Sequence, residues 1–119
     1  MKKTLVLGAS PNPARYSNMA VMSLRANNHP VVAVGLRNGI IADVVIEKGQ
    51  PIHENIDTVT LYLGPKNQIA QYDYILSLHP KRIIFNPGTE NGELMALAEN
   101  AGIQVEVACT LVLLRLGSY

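Results

Sequence analysis

Short apolar runs recur along the chain at residues 5–7, 31–35, 58–63, 82–85 and 103–107. They are continuous rather than alternating, as expected of strands buried on both faces. Between them lie segments with helical spacing. Residues 18–27 carry Met19, Met22, Leu24 and Ala26, and Asn28, His29 and Pro30 end that helix. Residues 66–78 follow Gly64 and Pro65 and set Ile69, Tyr72, Ile75, Leu76 and His79 on roughly one side. Residues 92–100 have Leu94, Leu97, Ala98 and Ala101 as an inner stripe, stopped by Gly102. Residues 108–116 read as a short apolar closing helix. The β-branched run 40–46, interrupted by Asp43, reads as a short edge strand or an extended loop, and 47–57, with Gly49 and Pro51, as irregular.

Strands that alternate with helices predict one α/β domain over residues 1–119. The expected architecture has three layers, a mostly parallel five-stranded sheet with helices on both faces. Right-handed crossovers bring the loops after the first four strands to one edge. Ligands of such folds bind there, where the strand order reverses. The candidate loops are residues 8–18, 36–39, 64–66 and 86–91.

Composition narrows the function more than the fold. The chain has 119 residues, 48% hydrophobic and 16% charged, which suits one domain with a real core. A net charge of +1, no basic run and few aromatics give no reason to expect nucleic acid as a partner. Cys109 stands alone, so no internal disulfide framework exists, and a reducing cytosol is expected. The start MKKTLVLGAS faintly resembles a signal peptide, but its apolar part is too short and Pro11 and Pro13 follow at once. The later apolar run within 107–116 is too short to span a bilayer. A cytoplasmic protein with no membrane partner is the expectation.

The stretch LVLGASPNPARYSN holds the strongest chemical signal. Gly8, Ala9 and Ser10 are small enough to let backbone approach a ligand. Pro11 and Pro13 force a turn. Ser17 or Asn18 can then cap a helix that begins at about Met19. A strand, a small-residue turn and a helix N-terminus together present unpaired N–H groups and partial positive charge, for which phosphate is the natural ligand. The loop has only the first glycine of G-x-G-x-x-G, so it reads as phosphate-binding before NAD-binding. An ordinary strand-to-helix turn is the alternative.

Arg37 stands about where an NAD site carries an acidic residue for the ribose hydroxyls. A guanidinium there favours a phosphate on the ribose, as in NADP or coenzyme A, or is a solvated surface arginine. Arg15 can close over a diphosphate and Tyr16 can pack on a ribose or base. Pro65 stands at the neighbouring loop. Asn86, Gly88 and Asn91 belong to a loop that can line the same cleft, although Thr89 or Asn91 can equally cap the following helix, with Glu93 beside it. No catalytic constellation is evident. His29, His53 and His79 are isolated without metal-ligand spacing, no G-x-S-x-G elbow occurs, and Cys109 lies in an apolar stretch. Nothing sets Glu90 or Glu93 against a base or nucleophile.

With these residues in hand, the chain resembles the small stand-alone CoA-binding-domain proteins, whose Rossmann-like fold is related to the CoA-binding domain of succinyl-CoA synthetase. The resemblance rests on GASPNPARYSNMA, VVAVGLRNG, the strand end from Tyr62 to Pro65, and NPGTENGELMALAENAGI. It implies a coenzyme A site that uses the 8–18 loop, with Ser10, Arg15, Tyr16, Ser17 and Asn18 at the matched positions. It implies no general enzymatic activity. Many members have Val-Asn-Pro after the second strand, a Trp and Gln before the fourth loop's glycine, and an Arg-Cys-Pro tail. This chain has Gly35-Leu36-Arg37, Phe85-Asn86-Pro87 and Ala108-Cys109-Thr110. The expected function is binding of coenzyme A or an acyl-CoA as a small-molecule nucleotide ligand. The alternatives are an NADP-binding oxidoreductase or redox sensor, and an interaction module with a vestigial site, in which residues 111–116 form a homodimer surface.

Overall fold

Apolar side chains on both faces of a strand need cover on both faces, and the computed structural model, which describes residues 1–119, shows how it is supplied. The elements in order are β1 (Thr4–Ala9), α1 (Tyr16–Ala26), β2 (Val31–Gly35), β3 (Ile40–Ile41), β4 (Val44–Glu47), β5 (Thr58–Leu61), α2 (Pro65–Gln68), a 3-10 turn (Ile69–Gln71), α3 (Tyr72–Ser77), β6 (Arg82–Phe85), α4 (Gly92–Asn100), β7 (Gln104–Val107) and α5 (Thr110–Arg115). They form one sheet in the order β3-β4-β2-β1-β5-β6-β7. Only β3 is antiparallel to its neighbour. Leu5, Leu7, Val32, Val34, Val59, Leu61, Ile83 and Phe85 pack on one face against Ile75 and Leu78 at the end of α3 and Leu94 and Ala98 of α4. Val6, Ala33 and Ile46 face the other way, against Val21 and Leu24 of α1 and Leu114 of α5. In α5, Thr110 and Leu114 are buried while Val112, and Leu116 just past its end, are exposed.

The sheet has seven strands, which corrects the expectation of five. The run 40–46 is a hairpin, β3 and β4, turning at Ala42 and Asp43. Ala42 adopts φ 55°, the left-handed region that a turn of this kind needs. Asp43 accepts from Nε and Nη2 of Arg25 at 2.8 and 2.9 Å, so α1 holds the turn. Ile41, Val44 and Ile46 are buried, and Ile40 and Val45 face solvent. The turn contains neither glycine nor proline, which is why the pattern alone does not separate two strands.

Residues 66–78 are likewise not one helix. The α-helical path breaks after Gln68 into the 3-10 turn and resumes at Tyr72. Gln68 is fully buried, and its amide donates to the carbonyls of Leu63 and Thr89, both at 2.8 Å. The first turn is thereby drawn in at the strand ends, while Ile69, expected on one side with Ile75, is exposed and Ile75 is buried.

At the opposite end of the sheet, Tyr119 closes the amino ends of the strands. Its hydroxyl lies 2.5 Å from Thr4 Oγ1, and the Arg82 guanidinium stacks 4.5 Å from its ring. His29 meets the same ring edge-on at 4.9 Å. The backbone N–H of Lys2 donates to His29 Nδ1 at 3.0 Å, so the ring is neutral with its proton on Nε2. Burial, and then the positive charges of the N-terminus and Lys2, hold the His29 pKa below 6.5. The unfolded chain therefore binds the extra proton first, and stability is lost as pH falls through the unfolded value. Urea melts at about pH 7 and about pH 5 are expected to show a smaller acid loss in His29→Gln than in the wild type.

Candidate functional site

The sheet reverses its strand order between β1 and β5, and β1 ends there in residues that leave no room for a side chain. Gly8 has φ +96°, and a Cβ on it would lie 2.8 Å from the Tyr62 carbonyl oxygen. A Cβ on Gly35 would lie 2.1 Å from the Ala9 carbonyl oxygen. The pairing of β1 with β2 shifts register between Leu7 and Ala9 at this point. The chain is thus squeezed between β2 and β5 as it leaves the sheet.

The loop that follows is wired to itself. Ser10 Oγ accepts from the Asn12 amide at 3.1 Å, and Asn12 Oδ1 accepts from the Ala14 amide at 3.0 Å. Asn18 reaches back and donates to the Ser10 carbonyl at 2.9 Å. α1 starts at Tyr16, three residues earlier than expected, and Arg15 is its N-cap without a side-chain cap. Ser17 and Asn18 are therefore inside the first turn and do not cap it. No backbone carbonyl accepts from the amides of Tyr16 or Ser17. These donors and the positive end of the helix dipole are directed out of the helix at its start.

A cleft of about 470 Å³ opens at this point. It brings together Gly8, Ala9, Ser10, Arg15, Tyr16, Ser17, Arg37 and Gly88. The fold adds Pro11, Asn12 and Leu36 at the first two loops, and Tyr62, Leu63, Gly64, Pro87 and Thr89 on the far side. The Gly64–Pro65 punctuation marks this far loop in the sequence, and Tyr62 to Pro65 form the strand end on which part of the family resemblance rests, although neither Tyr62 nor Leu63 stands among the expected site residues. No lining residue is acidic. Neither Arg15 nor Arg37 is in an ion pair, and both are exposed. The cleft is therefore a positively charged pocket open to water. Burial pushes the Tyr62 phenol up to about 12, so this wall stays neutral.

Four candidate residues stand outside the cleft. Asn18 serves the Ser10 carbonyl. Pro65 occupies the first position of α2. Asn86 is buried and fully used by the fold, because its amide nitrogen donates to Thr60 Oγ1 and the Leu61 carbonyl at 2.7 and 2.8 Å. Its oxygen accepts from the Thr110 amide at 2.9 Å. Asn91 caps α4 by accepting from the amides of Glu93 and Leu94. Its nitrogen donates to Gln68 Oε1 and the Tyr72 hydroxyl at 2.9 and 2.8 Å. Gln68 and Asn91 thus fix the Thr89 wall from behind without touching the cleft.

The sequence model of the CoA binding domain family matches residues 2–115. The chain belongs to this family. A crystal structure of an uncharacterised protein is 47% identical, covers 100% of this chain and 98% of its own, and has a TM-score of 0.97. A Thermus thermophilus protein shares the fold at 21% identity and TM-score 0.86, over 99% of this chain and 90% of its own. A hypothetical protein of Pyrococcus horikoshii OT3 is 25% identical with TM-score 0.79, over 93% of this chain and 80% of its own. No curated protein matches the sequence. No helix of this CoA-binding-domain chain is long and apolar enough to cross a membrane.

The squeeze at Gly8 is open to a direct test. Gly8→Ala places a Cβ against backbone in a left-handed conformation, and is expected to destabilise the protein by about 1–3 kcal/mol. A urea melt measures it, and wild-type stability would mean that the strand exit relaxes freely.

Proposed function

We propose that the protein binds coenzyme A in the cleft at the carboxyl ends of β1, β2, β5 and β6. One observation carries this reading: two unpaired arginines flank a helix N-terminus with free amides, in a cleft without a carboxylate. Family membership names the ligand class. The amides of Tyr16 and Ser17 receive the diphosphate, and Arg15 closes over it from the helix start. Gly8, Ala9 and Ser10 let the phosphates approach the backbone. Arg37, at the end of β2, takes the phosphate on the ribose, and Gly88 forms the opposite edge.

Arg37 also suits the ribose phosphate of NADP, so the second reading is an NADP site on the same residues. Titration calorimetry with coenzyme A, its form lacking the ribose phosphate, NADP and NAD separates the two. Coenzyme A is expected to bind, and NADP alone would install the second reading. Arg15→Ala and Arg37→Ala should each weaken coenzyme A by about 1–3 kcal/mol, the cost of a lost charge-assisted bond. Arg37→Ala should leave the form without the ribose phosphate unaffected. Equal losses for both forms would remove Arg37 from that role.

A further inference from the structure

The chain holds two Asn–Gly steps, Asn38–Gly39 and Asn91–Gly92. In such a step the glycine has no side chain to shield its backbone nitrogen from the asparagine Cγ, and asparagine is among the thermolabile residues. The fold treats the two steps in opposite ways. Asn91 Oδ1 accepts from two amides of α4, its nitrogen donates to Gln68 and Tyr72, and Gly92 is already helical. Asn38 is exposed in a loop without regular structure, and its side chain bonds to no other residue. The Gly39 carbonyl accepts from the Ile46 amide at 2.9 Å, but no backbone carbonyl takes the Gly39 N–H. Nor can Gly39 be exchanged freely, because a Cβ on it would lie 2.7 Å from Pro11 Cβ. The contact between the loop after β2 and the loop after β1 thus keeps a reactive pair directly beside Arg37.

We propose that Asn38 is a site of spontaneous deamidation, and that the carboxylate it yields occupies Arg37 and weakens the hold of the cleft on a phosphate. The Gly39 backbone nitrogen gives up its proton to water and bonds to Asn38 Cγ. The Cγ–Nδ2 bond breaks, the nitrogen leaves as ammonia, and a cyclic imide remains. Water opens the imide at either carbonyl, to aspartate or to isoaspartate. The balance is one water consumed and one ammonia released, with no enzyme or oxidant. Either product sets a negative charge one residue from an arginine that has no partner, at a cleft that has no acidic lining residue. A carboxylate there competes with the ligand for the guanidinium. The modification stands on the loop alone, whereas its effect on binding rests on the coenzyme A reading of the cleft.

The test has two arms. The folded protein is incubated at neutral and mildly alkaline pH, and peptide mapping by mass spectrometry follows conversion at both steps, with a urea-unfolded sample beside it. Asn38 is expected to convert in the folded protein, faster at the higher pH, while Asn91 stays intact. The unfolded chain should convert both. An Asn38 that reacts no faster than Asn91 in the folded protein would overturn the site. The second arm is calorimetry on wild type, Asn38→Asp and Asn38→Ser. Asn38→Asp should weaken coenzyme A about two- to fivefold, the size of an exposed ion pair, and the loss should shrink in high salt. The form of coenzyme A without the ribose phosphate should lose less, which a merely structural effect would not produce. Asn38→Ser should bind as wild type and gain no charge on incubation. Unchanged affinity in Asn38→Asp, with coenzyme A bound by wild type, would overturn the effect on Arg37. Conversion of Asn38 in a protein that binds no coenzyme A would overturn the reading of the cleft and leave the modification standing.

Discussion

The structure depends on the exit of β1 between β2 and β5. β1 is central and pairs with both neighbours over Thr4–Leu7, and Ala9 pairs on with β2, so the strand exit is held from both sides. Backbone of Tyr62 presses on Gly8 from one side, and Ala9 presses on Gly35 from the other. Side chains at the two glycines would push the strands apart at the point where the order reverses. Their absence lets the loop stay low over the sheet, and this sets the start of α1 directly above the strand ends. The position of the cleft follows from that contact, because the free amides of α1 can face nothing else.

The far wall is held by a different kind of interaction. Gln68 is buried where an apolar residue would ordinarily sit, and it ties the Leu63 carbonyl, the Thr89 carbonyl and Asn91 into one unit. A buried amide with its partners in place fixes relative position more sharply than apolar packing does. The near wall is set by covalent and steric limits, the far wall by hydrogen bonds. Between them the two arginines remain free of partners, as a site for a mobile anion requires, since an arginine already paired with a carboxylate offers little to a phosphate.

Much of this was legible in the chain. The runs of Val31 to Gly35 and Arg82 to Phe85 specify buried strands because every position is apolar or can be paired, and the structure keeps those bounds. Gly92 to Asn100 was readable as a helix because its Gly102 stop and the buried Leu94 and Ala98 agree, although Leu97 and Ala101 of the expected inner stripe face solvent at the helix's margin. The hairpin at Ala42 and Asp43 was hidden because its turn is stabilised by Arg25, a residue distant in sequence. The break after Gln68 was hidden for the same reason, since the partners that draw in Gln68 include Thr89 of another loop. Local pattern carries local structure, and fails where a side chain from elsewhere decides the backbone.

The same limit separates Asn86 and Asn91 from Arg15 and Arg37. Polar residues at strand ends serve two masters, since a sheet edge has orphan donors and acceptors whether or not a ligand comes. Asparagine offers both a donor and an acceptor in a short side chain, so it is the residue best suited to settle those orphans, and Asn18, Asn86 and Asn91 all do so. Arginine offers donors only, at the end of a long side chain, and a surface arginine with no acceptor in reach stays available. The residue type thus sorts the candidates before any ligand is considered: in loops over a parallel sheet, the asparagines hold the site and the unpaired arginines are left to use it.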